Sequence, residues 1–354
     1  LPPATQGVAS QLNGCLRQLG GVPRQGDTTM RNSITDVPGI TVGNAQNIDA
    51  ARGCTVVLCP QGATPGVDVR GGAPGTREID CCQPANFVPF AHAVYLGGGS
   101  AFGLEGAGGV MRFLEEKKAG LDVGVTKVPI VPGAVIFDLL LGDPTVRPDA
   151  AMGYSACAGA GLAFKEGNAG AGTGASVGKT AGVHRSMKGG LGSSSIEAGA
   201  LIVGALVIVN CFGDVIEPGT GETIAGALNE AGDGFAGSMA LLAANPRGID
   251  PFHGNTTIGV VATNARLSKA QANRVAMMAH DGLARAINPV HTMHAGDTIF
   301  CLATGSVDAD VTVVGSLAAE AMARAIVSAV THADSAYGLP GFQEIRARMR
   351  KGRQ

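Results

Sequence analysis

Thr256 follows Gly254-Asn255 and opens the β-branched, apolar run Thr257-Ile258-Gly259-Val260-Val261, which reads as a core strand. A hydroxyl at that junction can attack the carbonyl of Asn255. The ester so formed is split by water into pieces 1–255 and 256–354. Thr256 then carries a hydroxyl and a free α-amine of reference pKa about 7.7–8, and that amine can serve as the nucleophile's own base. The plainer alternative is a Thr that merely starts a strand.

Other residue types with chemical potential are scattered. Lys179 is a lone cation in an apolar, glycine-rich stretch, suited to hold an oxyanion or a carboxylate, or else to lie in a solvated loop. Gly178-Lys179-Thr180 resembles the end of a phosphate-binding loop, but Thr173 stands where its first glycine belongs. The run Leu201–Val209 closes on Asn210, not on an acid able to hold magnesium. His291 and His294 with Asp297 form only a weak metal signature, so no metal is expected.

Composition narrows the classes. The 354 residues are 45% hydrophobic and 15% charged with net charge −2, as in a core-rich globular protein with no electrostatic footprint for nucleic acid. Aromatics reach only 4% and Trp is absent, so base-stacking platforms are not expected. The 55 glycines are roughly twice the usual share of about 7%. They cluster without a period, as at Gly97-Gly98-Gly99 and Gly170–Gly174, so tight turns and close backbone approach are the reading. The eight cysteines form no framework, which predicts a reducing compartment, and no C-x-x-C pair, so a zinc site of the usual spacing is not expected. No signal peptide and no apolar run of bilayer length is read; a cytoplasmic protein with no membrane partner is the expectation.

The elements that must position these residues follow from periodicity. Strand-like runs lie at Ile40–Val42, Thr55–Cys59, Ala93–Leu96, Ala200–Asn210, Thr257–Asn264 and Thr298–Thr304. Helical patterns cover Ala101–Lys118, a stretch from a capping box at Ser268 to about Ile287, and Ser316–Thr331. Residues 1–30 read as a surface arm, and 232–254 as a loop leading to the Asn255–Thr256 bond. Several strands are sequence neighbours, which predicts layered sheets with helices outside rather than a regular βαβ series.

Together the segments Asn32–Ile40, Val69–Gly72, Gly97–Gly106, Ala134–Asp138, Gly170–Lys179, Val209-Asn210, Gly254–Thr257 and Gly296–Phe300 resemble the self-processing aminopeptidases and amidases of the DmpA/NylC type. The resemblance runs over nearly the whole chain, and the Thr after Asn is closer to the nylon-oligomer hydrolase branch. It implies an α/β (α+β) fold, the αββα sandwich of the DmpA/ornithine acetyltransferase type, in one domain spanning 1–354. It also implies cleavage between Asn255 and Thr256, with Thr256 as mature nucleophile and Asn210 as oxyanion donor. Lys179 matches a lysine of the family's site, and Asp297 an acid orienting the nucleophile. Gly98, Gly99 and Phe137 are placed at the substrate. The implied enzyme is cofactor-free, acts on short peptides or linear oligoamides such as 6-aminohexanoate oligomers, and assembles αβ heterodimers into a tetramer or larger homo-oligomer. Two positions depart from the family pattern. Ala295 stands where relatives carry Asp or Ser, with His294 as a conjectural substitute, and Phe137 replaces a tyrosine. An acyltransferase of the ornithine acetyltransferase kind is the alternative chemistry. Ala295 also keeps open an unprocessed, non-catalytic ligand-binding relative.

Overall fold

Period-two alternation sends neighbouring residues of each central strand into different cores, and this builds the layers. The computed structural model describes residues 30–246 and 254–351; most of the expected arm, and 247–253 of the expected loop, lie outside them. Nine strands make the principal sheet: β1 (Thr41–Asn47), β2 (Arg52–Val69), β3 (Thr76–Arg77), β4 (Ala91–Gly97), β5 (Gly133–Val135), β6 (Gly190–Ala198), β7 (Leu201–Asn210), β8 (Thr256–Ala265) and β9 (Thr298–Val307). Their order is β6-β7-β8-β9-β2-β4-β5-β3, with β1 also on β2. The pairs β8–β9 and β4–β5 are parallel.

β2 is the joint. Its first half, Arg52–Leu58, pairs with β1 and β4, and its second half, Thr64–Val69, pairs with β9. The ladder with β4 shifts register between Leu58 and Ala63, so this 18-residue strand passes from one layer to the other. Between the layers lie Val57, Val94 and Leu96 from one side and Leu206, Ile208, Ile258, Val260, Phe300 and Leu302 from the other. The alternate residues Val207, Val209, Val261, Ile299 and Cys301 face outward into a second core, and Cys54, Val56, Ala93 and Tyr95 into a third.

Helices cover both outer faces. α1 (Gly106–Glu116) packs with α2 (Ala150–Ala158), which also lies on β1, while α4 (Lys269–Ala286) packs with α5 (Val311–Thr331). α5 lies on β6 and β7, and α4 on β2 and β9. α3 (Ser238–Ala244) and α6 (Phe342–Lys351) complete the set. The result is an αββα sandwich.

Boundaries differ from the sequence expectations for local reasons. The capping box at Ser268 forms with Gln271 and starts α4. The helix expected from Ala101 opens as a 3-10 turn, Ser100–Glu105, because Gly99 before it is left-handed. α5 begins earlier than expected, where Asp310 caps Thr312 N–H. It corrects the reading that no segment has bilayer length. Val311–Thr331 is long and apolar enough to cross a membrane by length and composition, and its apolarity is used against α4, β6 and β7.

Candidate active site

Two neighbouring central strands bring the sequence candidates together. β7 ends at Asn210 and β8 begins at Thr256, and these two residues are direct antiparallel partners. Parallel pairing of Ile258 with Thr298 at the start of β9 delivers Gly296 and Asp297 to the same end. Thr256 and Asn255 are both buried. The Thr256 hydroxyl donates to the Asn255 carbonyl oxygen and accepts the Gly296 N–H at 3.0 Å. Only glycine fits at 296: a Cβ there would lie 2.9 Å from Thr256 Oγ1 and 2.8 Å from the Ala73 carbonyl oxygen. The Asn255 side-chain amide has no partner on either atom, an uncompensated burial of about 1–3 kcal/mol.

Behind Thr256, Asn210 is oriented by its surroundings. Its Oδ1 accepts Ser176 N–H at 3.0 Å and Lys179 Nζ at 2.9 Å. Its Nδ2 therefore points the other way and donates to the Phe137 carbonyl at 2.9 Å; the second amide proton is left for another acceptor. Lys179 is buried and also donates to the carbonyls of Ser176 and Asn210. Burial lowers its pKa to about 7, against the opposing pull of Cys211 and Asp138. Lys179 thus reaches Thr256 only through Asn210. The Phe137 ring fills the space beside Gly254, where a Cβ would come within 1.8 Å of Cδ1.

Asp297 lies on the other flank. Its Oδ1 accepts Thr257 N–H at 2.7 Å, and its Oδ2 accepts both the backbone N–H of His291 at 3.0 Å and Nδ1 at 2.9 Å. The carboxylate contacts the peptide that follows Thr256, not its hydroxyl. Ala295 is buried, its carbonyl taking Ala73 N–H at 2.8 Å, and His294 is exposed. His291 supplies Asp297's second support. In the sequence His291 stands with His294 and Asp297 as a weak metal signature, and nothing local marks Ser176 or Gly296, whose roles depend on contacts across the fold.

Gly98 and Gly99 lie against Asp138, the residue after Phe137. They wrap the buried carboxylate of Asp138: Gly99 N–H donates to it at 2.7 Å, and a Cβ on Gly98 would strike it at 2.4 Å. Asp138 faces Arg52 at 3.5 Å, both fully buried. Burial raises Asp138 to about 6, against the lowering by Arg52. Lys188, donating to the Thr173 and Ala175 carbonyls, is lowered by burial to about 7. Among the described residues no group of three or more His, Cys, Asp or Glu side chains is gathered as a metal site.

Such a site has a hydroxyl on a carbonyl, an amide N–H aimed at that hydroxyl, and an oriented carboxamide one strand away, the parts that acyl transfer uses. The chain is similar to known proteins over most of its length. An uncharacterised aminopeptidase of Mycobacterium tuberculosis is 45% identical over 345 residues, covering 89% of this chain and 98% of that protein. The 6-aminohexanoate-oligomer endohydrolase of Kocuria sp. is 31% identical, covering 83% of this chain and 84% of that protein. Among solved structures, a Burkholderia sp. β-aminopeptidase superposes with a TM-score of 0.65 at 23% identity over 95% of this chain and 98% of its own. The L-aminopeptidase D-Ala-esterase/amidase of Ochrobactrum anthropi, described as a variant of the Ntn hydrolase fold, gives 0.66 at 20% identity over the same shares. Residues 32–343 match peptidase family S58, and with relatives of this similarity the chain belongs to that family, as a hydrolase acting on amide bonds.

Proposed function

We propose that the chain cuts its own Asn255–Thr256 bond and then hydrolyses short peptides or linear oligoamides through an acyl-enzyme on Thr256. The observation that carries this reading is the Thr256 hydroxyl lying against the carbonyl of Asn255, with Gly296 N–H donating to Thr256 Oγ1. In the first step Thr256 Oγ1 bonds to the Asn255 carbonyl carbon, the C–N bond breaks, and the hydroxyl proton passes to the departing Thr256 nitrogen. Water then hydrolyses the ester, leaving a carboxylate on Asn255 and a free amine on Thr256. In turnover that amine takes the Thr256 hydroxyl proton as the oxygen attacks a substrate amide, and the proton passes on to the leaving amine. Asn210 Nδ2 is the donor for the tetrahedral oxyanion, a contribution of about 3–4 kcal/mol.

Peptides and 6-aminohexanoate oligomers are the substrate classes to try first, given the names of the relatives above. Assembly of the cut chains into a homo-oligomer belongs to the same reading. The cysteines among the described residues are all free, which supports a reducing, cytoplasmic setting.

Intact mass of the purified protein beside a Thr256→Ala variant tests the proposal. The expected result is two fragments, 1–255 and 256–354, in the wild type and one species in the variant. A wild type that stays uncut on long incubation, or a variant that is cut, overturns it.

A further inference from the structure

Asp297 is held on both of its carboxylate oxygens. Its Oδ2 takes the backbone N–H and the Nδ1 of His291, and its Oδ1 takes the N–H of Thr257. Facing a carboxylate, Nδ1 is the donor. Thr257 N–H belongs to the peptide group that carries the Thr256 carbonyl, so the carboxylate fixes the rotation of Thr256 on its C-terminal side. Ala295, two residues before Asp297, offers no side-chain donor, and His291 is the side chain that bonds Oδ2.

The imidazole is itself locked. It meets the His280 ring edge-on at 4.8 Å and 71°, and His280 Nε2 lies 3.1 Å from the Asp68 carbonyl oxygen. His291 also has φ +57°, a left-handed conformation that non-glycine residues seldom adopt and that recurs at functional sites. The bond it makes is with the carboxylate beside the candidate nucleophile.

We propose that His291 is a positioning residue for Thr256, acting through Asp297; this rests on the reading of Thr256 as nucleophile. The chain His291–Asp297–Thr257 N–H clamps the strand start so that the Thr256 hydroxyl stays on its carbonyl target.

Three variants test this. His291→Gly suits the positive φ and removes the imidazole. His291→Phe keeps a ring against His280 without a donor. His291→Asn tolerates the left-handed backbone and carries an amide donor. Self-cleavage is followed by intact mass, and turnover of a short peptide amide by the cut enzyme is split into kcat and KM. The Gly and Phe variants should lose about tenfold or more in both self-cleavage and kcat, toward the about 10²-fold that a 1 Å misplacement costs, with KM little changed. His291→Asn should recover most of the rate. If the Gly variant does not fold, the Phe and Asn variants give the same comparison. Wild-type rates without a donor, or an Asn variant as slow as the Phe variant, overturn the proposal. An uncut wild type strikes the Thr256 reading itself, and this proposal with it.

Discussion

Lys179 touches Asn210, not Thr256, and that contact sets a pH dependence. With its pKa lowered to about 7 by burial, its charge in the folded protein is present below that value and lost as pH rises through it. A charged Nζ on Asn210 Oδ1 polarises the carboxamide and strengthens the opposite N–H as a donor. In the proposed self-cleavage the Thr256 amine is still a peptide nitrogen and does not titrate. The initial rate of self-cleavage should therefore be highest below pH 7 and fall through about pH 7. Lys179→Met should be slower, by no more than the about 10²–10³-fold that loss of an oxyanion donor costs, and flat over that range. A rate that climbs through pH 7 would instead assign Lys179 as a base. Thr256, Asn210 and Lys179 stand out in the sequence because each is a polar residue at the end of, or inside, an apolar or glycine-rich run, while Asp297 is marked as a site acid only by the resemblance. Ser176 does not stand out, because its partner lies 34 residues away, and His291 stands near Asp297 in the sequence without showing that it bonds the carboxylate.

At the scale of elements, the proposed cut falls at the start of a central strand. β8 pairs with β7 on one side, and β9 pairs with β2; both partners precede residue 255. α4 and α5, also C-terminal to the cut, pack on β2, β6 and β7. Breaking one peptide bond leaves all of these ladders and the core around Val261, Ile299 and Met322 intact. The two fragments should thus co-elute in size exclusion and separate only in denaturant. Free 256–354 in native buffer would contradict this packing. The same interleaving explains why β2 is readable only in part. Its Thr55–Cys59 run is apolar, but the continuation through Pro60, Gly62 and Pro65 carries breaker residues that local propensity assigns to a loop. Tertiary pairing with β9 overrides that propensity.

For the whole molecule, burial of charge beneath the site is the main stability consequence. Arg52 and Asp138 are fully buried together at 3.5 Å, and removing one partner of such a pair typically costs about 3–5 kcal/mol. Asp138 is raised to about 6, above its unfolded value, so its uncharged form favours the fold at low pH and that advantage is gone once pH passes about 6. Without Arg52 the ionised carboxylate loses its main opposite charge and keeps the smaller pull of Lys188, whose own charge is lost as pH rises through about 7. Arg52→Met should hence be mildly destabilised at pH 5, where Asp138 keeps its proton, and strongly at pH 8. Urea midpoints at the two pH values check this; a larger loss at pH 5 would mean that Arg52 serves another contact.

The sequence by itself determined the layered class, the principal strands and helices, and the strand that opens at Thr256, because alternation, capping and the polar ends of apolar runs are local signals. It also carried the motif order that marks the family. Tertiary structure alone decided that Gly98 and Gly99 wrap Asp138, that Lys179 acts on Asn210, and that His291 takes Asp297. These are contacts between segments whose distances in space depend on strand register, which a shift of one residue would undo.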